Sequence, residues 1–172
     1  MSDDAAAAPT KPEPNYRQLL GNAESSAAID EVIAAAHTTL RVFDFRLGNR
    51  GFNSPKRSEA LFNFLVAGPR THRLLIALHD PETVVKECPR LIMLLRQFPM
   101  SIEIHRTVDE ARKAMDPFVV ADDHSVWHQQ HYEQPRSIVA LHSPADAMPI
   151  VERFDEIWAW SELAISPTTL GL

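Results

Sequence analysis

The chain has 172 residues, 45% hydrophobic and 23% charged, with a net charge of −6 and a pI of about 5.7. That size and balance suit one domain with a sizeable core. The acidity argues against a surface built for nucleic-acid phosphates, the single cysteine (Cys88) excludes an intrachain disulfide, and no apolar run reaches the ~18–20 residues that span a bilayer.

Residues 1–14, MSDDAAAAPTKPEP, are rich in Ala, Pro and Asp and lack the apolar centre of a signal peptide. A disordered N-terminal segment is expected there, a single α/β domain over 15–172, and a cytoplasmic location. A helix is expected over Ser25–His37, where Ala28, Val32, Ile33 and Ala36 share one face. Thr39–Leu47 then alternates, Phe43, Phe45 and Leu47 against Val42, Asp44 and Arg46, as a strand does. Gly48–Asn53 reads as a loop. Ser54-Pro55 is a helix start, with serine as N-cap and proline in the first turn, and Ala60, Leu61, Phe64 and Leu65 form the buried face.

Arg73–His79 carries LLIAL, a continuous apolar run suited to a strand covered on both faces. Pro89–Phe98 reads as a helix and Ser101–His105 as a half-exposed strand. Val108–Lys113 is a short helical turn. Phe118–Ala121 is a buried strand, with Ser125–His131 as its hairpin partner and Ser137–Leu141 as a further strand. Ala147, Ile150, Val151, Phe154, Ile157 and Trp158 follow a 3.6-residue period and define the last helix. The tail 163–172 is apolar enough to dock. Strands alternating with helices imply parallel crossovers, so the expected fold is α/β, a mixed and mostly parallel sheet flanked by helices on both faces.

This order resembles one repeat of the phospholipase D-like fold over roughly residues 24–160. AAIDEVIAAAHTTLRVFDFRL gives a helix feeding a first strand, RLLIALHDP the next crossover strand, and PFVVADD the strand of the family's HxKxxxxD motif ending in its Asp. RFDEIWAWSE is similar to the family's closing helix. The whole chain is also similar to a bacterial family marked by FDFRL, CPRL, the WHQQH region with QPR, and a terminal TTLGL. The motif itself is degenerate. With Asp122 in the Asp position, Met115 and Pro117 stand for the His and Lys; with Asp123 there, Asp116 and Phe118 do. Neither register supplies the histidine nucleophile or the phosphate-binding lysine of the resembled phosphodiesterases, and neither Met, Asp nor Phe can replace an imidazole that becomes phosphorylated.

The candidate ligand residues are Arg46, His79, Asp122, His128 and His131. Arg46 lies in a basic stretch with Arg41, Arg50, Lys56 and Arg57, near a helix start suited to an anion. His79-Asp80-Pro81 ends a strand, where open α/β sheets place ligands; a turn or cap role for Asp80 is the preferred alternative. Asp122-Asp123 suits a tight turn as well as it suits a site. His124, His128 and His131 have metal-like spacing only on a helix, and a strand or loop is expected there, so no metal and no cofactor is expected. Trp158 is expected in the core, Trp160 at an interface, and Cys88 as a neutral thiol.

The leading expectation is a non-catalytic binding or regulatory domain with a small anionic ligand. The resemblance implies a homodimer, since single repeats of that superfamily pair to complete their site. No membrane partner is expected, and nucleic acid is disfavoured by the charge. The alternative is a phosphodiesterase or other hydrolase rebuilt from Asp122, Asp123, His124 and His128, with or without a divalent metal.

Overall fold

The computed structural model describes residues 9–170, with the side chains of 169 and 170 left aside. The expected disorder at the N-terminus falls mostly on residues 1–8, and the last two residues of TTLGL are Gly171 and Leu172; all of these lie outside the described residues. Residues 9–14 are exposed and have no regular secondary structure.

The chain runs β1 (Asn15–Leu20), α1 (Asn22–Ala35), β2 (Thr39–Asp44), α2 (Pro55–Ala67), β3 (Arg73–Leu78), α3 (Val84–Glu87), α4 (Pro89–Gln97) and β4 (Ile102–Thr107). It continues through β5 (Phe118–Ala121), β6 (Ser125–Gln129), β7 (Arg136–Leu141), α5 (Pro144–Ala159) and β8 (Ser161–Ile165). One eight-stranded sheet takes all the strands in the order β1-β7-β6-β5-β2-β3-β4-β8.

The sheet is mostly antiparallel, which corrects the expectation of a mostly parallel one. Only β2–β3 and β3–β4 are parallel. Parallel neighbours need a crossover long enough for a helix, and among strands that follow one another in the chain and lie side by side in the sheet only these two pairs have one, α2 and then α3–α4. β5, β6 and β7 are joined by short turns and so form a meander, and β2 meets β5 antiparallel. Both edges, β1 on β7 and β8 on β4, are antiparallel too.

Two cores sandwich the sheet. On one face α1, α2 and α4 cover Leu40, Val42, Leu74, Ile76, Leu78, Ile104, Val119 and Trp127. On the other, α5 covers Phe43, Ala77, Phe118, Val120, Val126 and Ala140 with its own Ala147, Phe154 and Ile157. The run LLIAL therefore feeds both cores, as its unbroken apolarity predicts. The alternation of the first strand stops at Asp44. Leu47 is fully buried in the α1–α2 core, opposite Phe43, because a 3-10 turn at Gly48–Arg50 follows it.

The Ser54 side chain caps α2 by accepting from the Arg57 N–H at 3.2 Å, with Pro55 in the first turn. Gly51 ends the 48–50 turn at φ 78°, a left-handed conformation that favours glycine. A Cβ there would also crowd the Arg57 guanidinium at 3.3 Å. Among the described residues no helix is long and apolar enough to cross a membrane.

Candidate functional site

The strand directions gather chemistry-bearing residues at two opposite ends of the sheet. One end holds the termini of β2, β3 and β6 and the start of β5. It carries Asp44–Arg50, His79, Asp116 and the segment 128–135. The other end holds the β5–β6 turn, with Asp122, Asp123 and His124. Pairing of Phe118 with His128 and of Ala121 with Ser125 sets the two ends apart by the length of the hairpin.

Asp122 is therefore part of the scaffold. Its carboxylate accepts from the backbone N–H of His37 (2.7 Å), Thr38 (2.9 Å) and Thr39 (2.8 Å), and from the Thr38 hydroxyl (2.7 Å). It thus staples the α1–β2 connection to the turn. Its φ of 52° matches the tight-turn reading. Burial alone would raise this carboxyl; the donors of Thr39, His37 and Thr38 outweigh it and hold it below the usual carboxylate range. His124 leans on the same group, with Nε2 3.3 Å from Asp122 and Nδ1 2.8 Å from the buried Ser125 hydroxyl. The hydrolase site drawn from Asp122, Asp123, His124 and His128 is thus split between the two ends. Among the described residues no group of three or more His, Cys, Asp or Glu side chains converges to hold a metal ion.

His79 is 7% exposed and both its ring nitrogens are engaged. Nε2 donates to the Ala114 carbonyl at 2.7 Å, so in the neutral ring Nδ1 accepts from the Thr107 hydroxyl. Burial pushes its titration below the ordinary histidine range against the raising effect of the Ala114 carbonyl. Packed edge-on against Phe43 and Phe45, it braces the core and offers no free nitrogen to a ligand. Asp80, its neighbour, pairs with Arg46 at 2.9 Å on the surface and makes no side-chain cap.

His128 belongs to a different group. Its Nε2 lies 3.1 Å from Asp116, whose other bonds come from the Arg153 fork at 2.6 and 2.9 Å. Asp116 thereby ties β5 and β6 to α5. Burial would raise it, but the bonds from His128 and Arg153 bring it down to about 2. Nδ1 of His128 makes no hydrogen bond within the described residues. His131 sits on the loop beyond β6, accepts from the Glu133 N–H at 3.2 Å, and stacks on Tyr132.

A cleft of about 570 Å³ opens at this same end, between the 44–50 segment, the start of α1 and the 129–135 loop. Arg46, Arg50, Gln129 and Tyr132 line it together with the carboxylates Asp44 and Glu133. Arg50 is braced from below: its Nε donates to Asp44 at 2.6 Å and its guanidinium lies 5.1 Å over Trp127. Burial raises Asp44 despite that arginine. Gln129 is 5% exposed; its amide nitrogen donates to the carbonyls of His131, Tyr132 and Gln134, which folds the loop back, while its Oε1 is buried without a partner. Phe45 stacks against Tyr132 with centroids 4.0 Å apart, forming a flat wall.

Of the five sequence candidates, Arg46 alone lines this cleft; His128 and His131 lie at the same end, and Asp122 lies at the opposite one. The basic stretch does not form a basic face. Arg41 donates to the Asp122 carbonyl at 3.2 Å, Arg50 faces Asp44, and Arg57 is 1% exposed. Asp44, Gln129 and Tyr132 escaped the sequence reading because each looks like an ordinary strand or loop residue. Trp158 stacks on His105 with centroids 3.7 Å apart, and Trp160 is half-exposed.

Cys88 is fully buried, and burial together with Glu87 pushes its thiol up to about 11. Native protein at pH 8 should therefore resist iodoacetamide for hours and be alkylated within minutes once unfolded in guanidinium, as read by mass spectrometry.

The fold is phospholipase D-like. Nuc from Salmonella typhimurium, described as a phospholipase D family member, superposes with a TM-score of 0.62 at 14% identity, over 90% of this chain and 100% of its own. NucT from Helicobacter pylori gives 0.61 at 9% identity, over 88% and 100%. TrmBL2, an archaeal chromatin protein with a novel mode of DNA binding, gives 0.64 at 16% identity over 90% of this chain; the match spans 56% of TrmBL2. At the level of sequence, residues 21–166 match the model of a domain of unknown function, DUF7931, and the chain belongs to that family. No curated protein matches it by sequence.

Proposed function

We propose that this chain is a non-catalytic binding module on a phospholipase D-like scaffold, with its ligand seat in the Arg46–Arg50–Tyr132 cleft. One observation carries the reading. In the register that sets Asp122 at the motif aspartate, Met115 and Pro117 take the histidine and lysine positions, and their carbonyls accept from the N–H groups of Tyr132 and Gln129. The 129–135 loop is thus bonded onto the place where the chemistry would occur.

The cleft that remains beside it suits a small anionic ligand with a flat group. Arg46 and Arg50 supply donors of the kind that clamp a carboxylate or phosphate. Phe45 and Tyr132, the latter 38% exposed, supply an aromatic wall, and the unpartnered Oε1 of Gln129 is an acceptor for a ligand N–H or O–H.

Calorimetric titration with inorganic phosphate and with nucleoside monophosphates tests this. The monophosphates are expected to bind more tightly than phosphate, and Arg46→Ala and Tyr132→Ala should each weaken them about tenfold, the worth of one charge-assisted bond or one stacked ring. A second reading rests on the His128–Asp116 pair, whose free Nδ1 is placed as a general base would be. Its carboxylate is already shared with Arg153, which disfavours it. Bis(p-nitrophenyl) phosphate discriminates: no turnover is expected, and turnover lost in His128→Ala would overturn the non-catalytic reading.

A further inference from the structure

The two edges of the sheet are not equally protected. β8 carries Glu162, meets β4 through a register irregularity at Ile104–His105, and is followed by Pro167. Charge, irregular pairing and a nearby proline are the devices that keep a strand edge from pairing further. β1, NYRQLL, contains no lysine or carboxylate and no proline within the strand; Pro14 directly precedes it, outside the residues that would pair. Its one charge, Arg17, is turned onto α1, where it pairs with Glu31 at 2.7 Å. Among the described residues no strand pairs with its outer side.

The ladder says which groups face outward. Gly21 N–H donates to the Pro135 carbonyl at 3.0 Å, and the register pairs Leu19 with Ser137 and Arg17 with Val139. In an antiparallel ladder alternate residues point their backbone groups inward. Residues 15, 17, 19 and 21 thus bond β7, and Tyr16, Gln18 and Leu20 present theirs to the free edge. The Leu20 N–H confirms this direction, since it reaches the Glu24 side chain at 2.9 Å and not β7. The side chains of these three residues share one face of the sheet. Tyr16 is 55% exposed and Leu20 is 65% exposed, and with Ile138 they border an open groove.

We infer that β1 pairs antiparallel with β1 of a second copy of this chain, about a two-fold axis through Gln18. This surface is independent of the cleft reading. The strand is self-complementary in that register. Tyr16 falls opposite Leu20 of the second copy, Gln18 opposite Gln18, and Leu20 opposite Tyr16. Each of these is a hydrogen-bonding position, so all the outward backbone groups are used together. An aromatic ring on a branched aliphatic side chain is a favourable cross-strand pair, and two glutamine amides can bond each other. On the opposite face Arg17 meets Leu19. Moving the axis to Arg17 would set like charges face to face, and moving it to Leu19 would leave Tyr16 without a partner strand. The outermost bond forms by exchange: the Leu20 N–H leaves Glu24 for the Tyr16 carbonyl of the second copy.

Sedimentation of the full chain from micromolar to millimolar concentration, with three variants, tests the inference. The native chain should move from monomer to dimer across that range. Gln18→Pro removes an outward N–H and no bond to β7, so it should stay folded by circular dichroism and shift the dimerisation midpoint at least tenfold upward. Gln18→Cys places two thiols on paired residues with Cα atoms ~5.5 Å apart, within disulfide reach. Mild oxidation should give a covalent dimer. In Tyr16→Cys the two thiols sit four residues out of step, roughly 14 Å apart, and should not cross-link. The buried Cys88 takes no part. A chain that stays monomeric throughout, a dimer indifferent to Gln18→Pro, or equal cross-linking at both cysteine positions would each overturn the inference.

Discussion

Arg57→Met is expected to destabilise the protein by about 3 kcal/mol, more than any change at the cleft, because it strands several partners at once. Arg57 is 1% exposed. Its Nε donates to Asp30 at 2.8 Å, one terminal nitrogen to the Ser26 carbonyl (3.0 Å) and hydroxyl (3.2 Å), and the other to the Arg50 carbonyl. The guanidinium also lies 5.0 Å over Phe52. One side chain therefore joins α1, the 48–50 turn and α2. Methionine would fill much of the volume and supply none of the donors. Asp30, 27% exposed, would keep only Lys56 at 3.9 Å, and that partial access to water is why the cost falls at the lower end for a broken buried pair.

Lysine keeps the charge but cannot reproduce a fork that reaches three acceptors, so Arg57→Lys should recover less than half of the loss. Equilibrium urea unfolding measures both. Arg46→Ala is the control: its pair with Asp80 is exposed, and it should stay within about 0.5 kcal/mol of the native chain. A methionine variant inside 1 kcal/mol would mean that the 48–50 turn holds itself. Because Arg57 grips the Arg50 carbonyl, the destabilised variant should also bind cleft ligands more weakly than the Arg46 variant does.

Much of this architecture was legible in the chain, and the exceptions have physical reasons. LLIAL announced a strand covered on both faces, Ser54-Pro55 announced the start of α2, and the 3.6-residue period announced α5. β1 was missed because NYRQLL buries only Leu19, so it has no apolar face for a periodicity to detect. β8 was read as a docking tail because its pairing with β4 is set by a distant strand and not by its own pattern. Those two antiparallel edges, with the antiparallel meeting of β2 and β5, separate the observed sheet from the mostly parallel one expected; the hairpin of β5 and β6 was in the pattern.

The site was less legible. Asp122 and His128 lie close in sequence, yet a hairpin of this length puts them at opposite ends of the sheet. The pairs that fix the site, Asp116 with Arg153 and Arg57 with Asp30, join helices and strands far apart in the chain and leave no local signature. Arg57 reads as part of a basic stretch near an anion-suited helix start, and among the described residues it is the most buried charge.

The Asp122 carboxylate is a structural acceptor, and its pH dependence is the second large effect expected. Asp122→Ala removes the acceptor for three backbone N–H groups and a hydroxyl, and leaves at φ 52° a residue without the local side-chain hydrogen bonds by which Asp and Asn tolerate that conformation, at ~1 kcal/mol. Lost capping adds ~1–2 kcal/mol, so a total near 3 kcal/mol is expected at neutral pH. Asp122→Asn keeps a residue that tolerates this backbone and one acceptor oxygen, and should lose about 1 kcal/mol.

The sign with pH follows from the lowered titration of the folded carboxyl. A group whose folded value lies below its unfolded value of about 3.9 contributes stability that is fully present above the unfolded value. That contribution declines as pH falls toward the folded value and is gone below it. The gap between native chain and Asp122→Asn should thus be constant from neutral pH down to about pH 5 and close below pH 4. Asp116 titrates in the same acid range but is common to both proteins, so it cancels in the difference. Urea unfolding at neutral pH, pH 5 and the lowest pH that still gives a folded baseline reads the gap directly. A gap that does not narrow in acid would show that the carboxylate charge is not what holds the α1–β2 connection. Cleft binding by folded Asp122→Asn should match the native chain, because the two sites stand at opposite ends of the same hairpin.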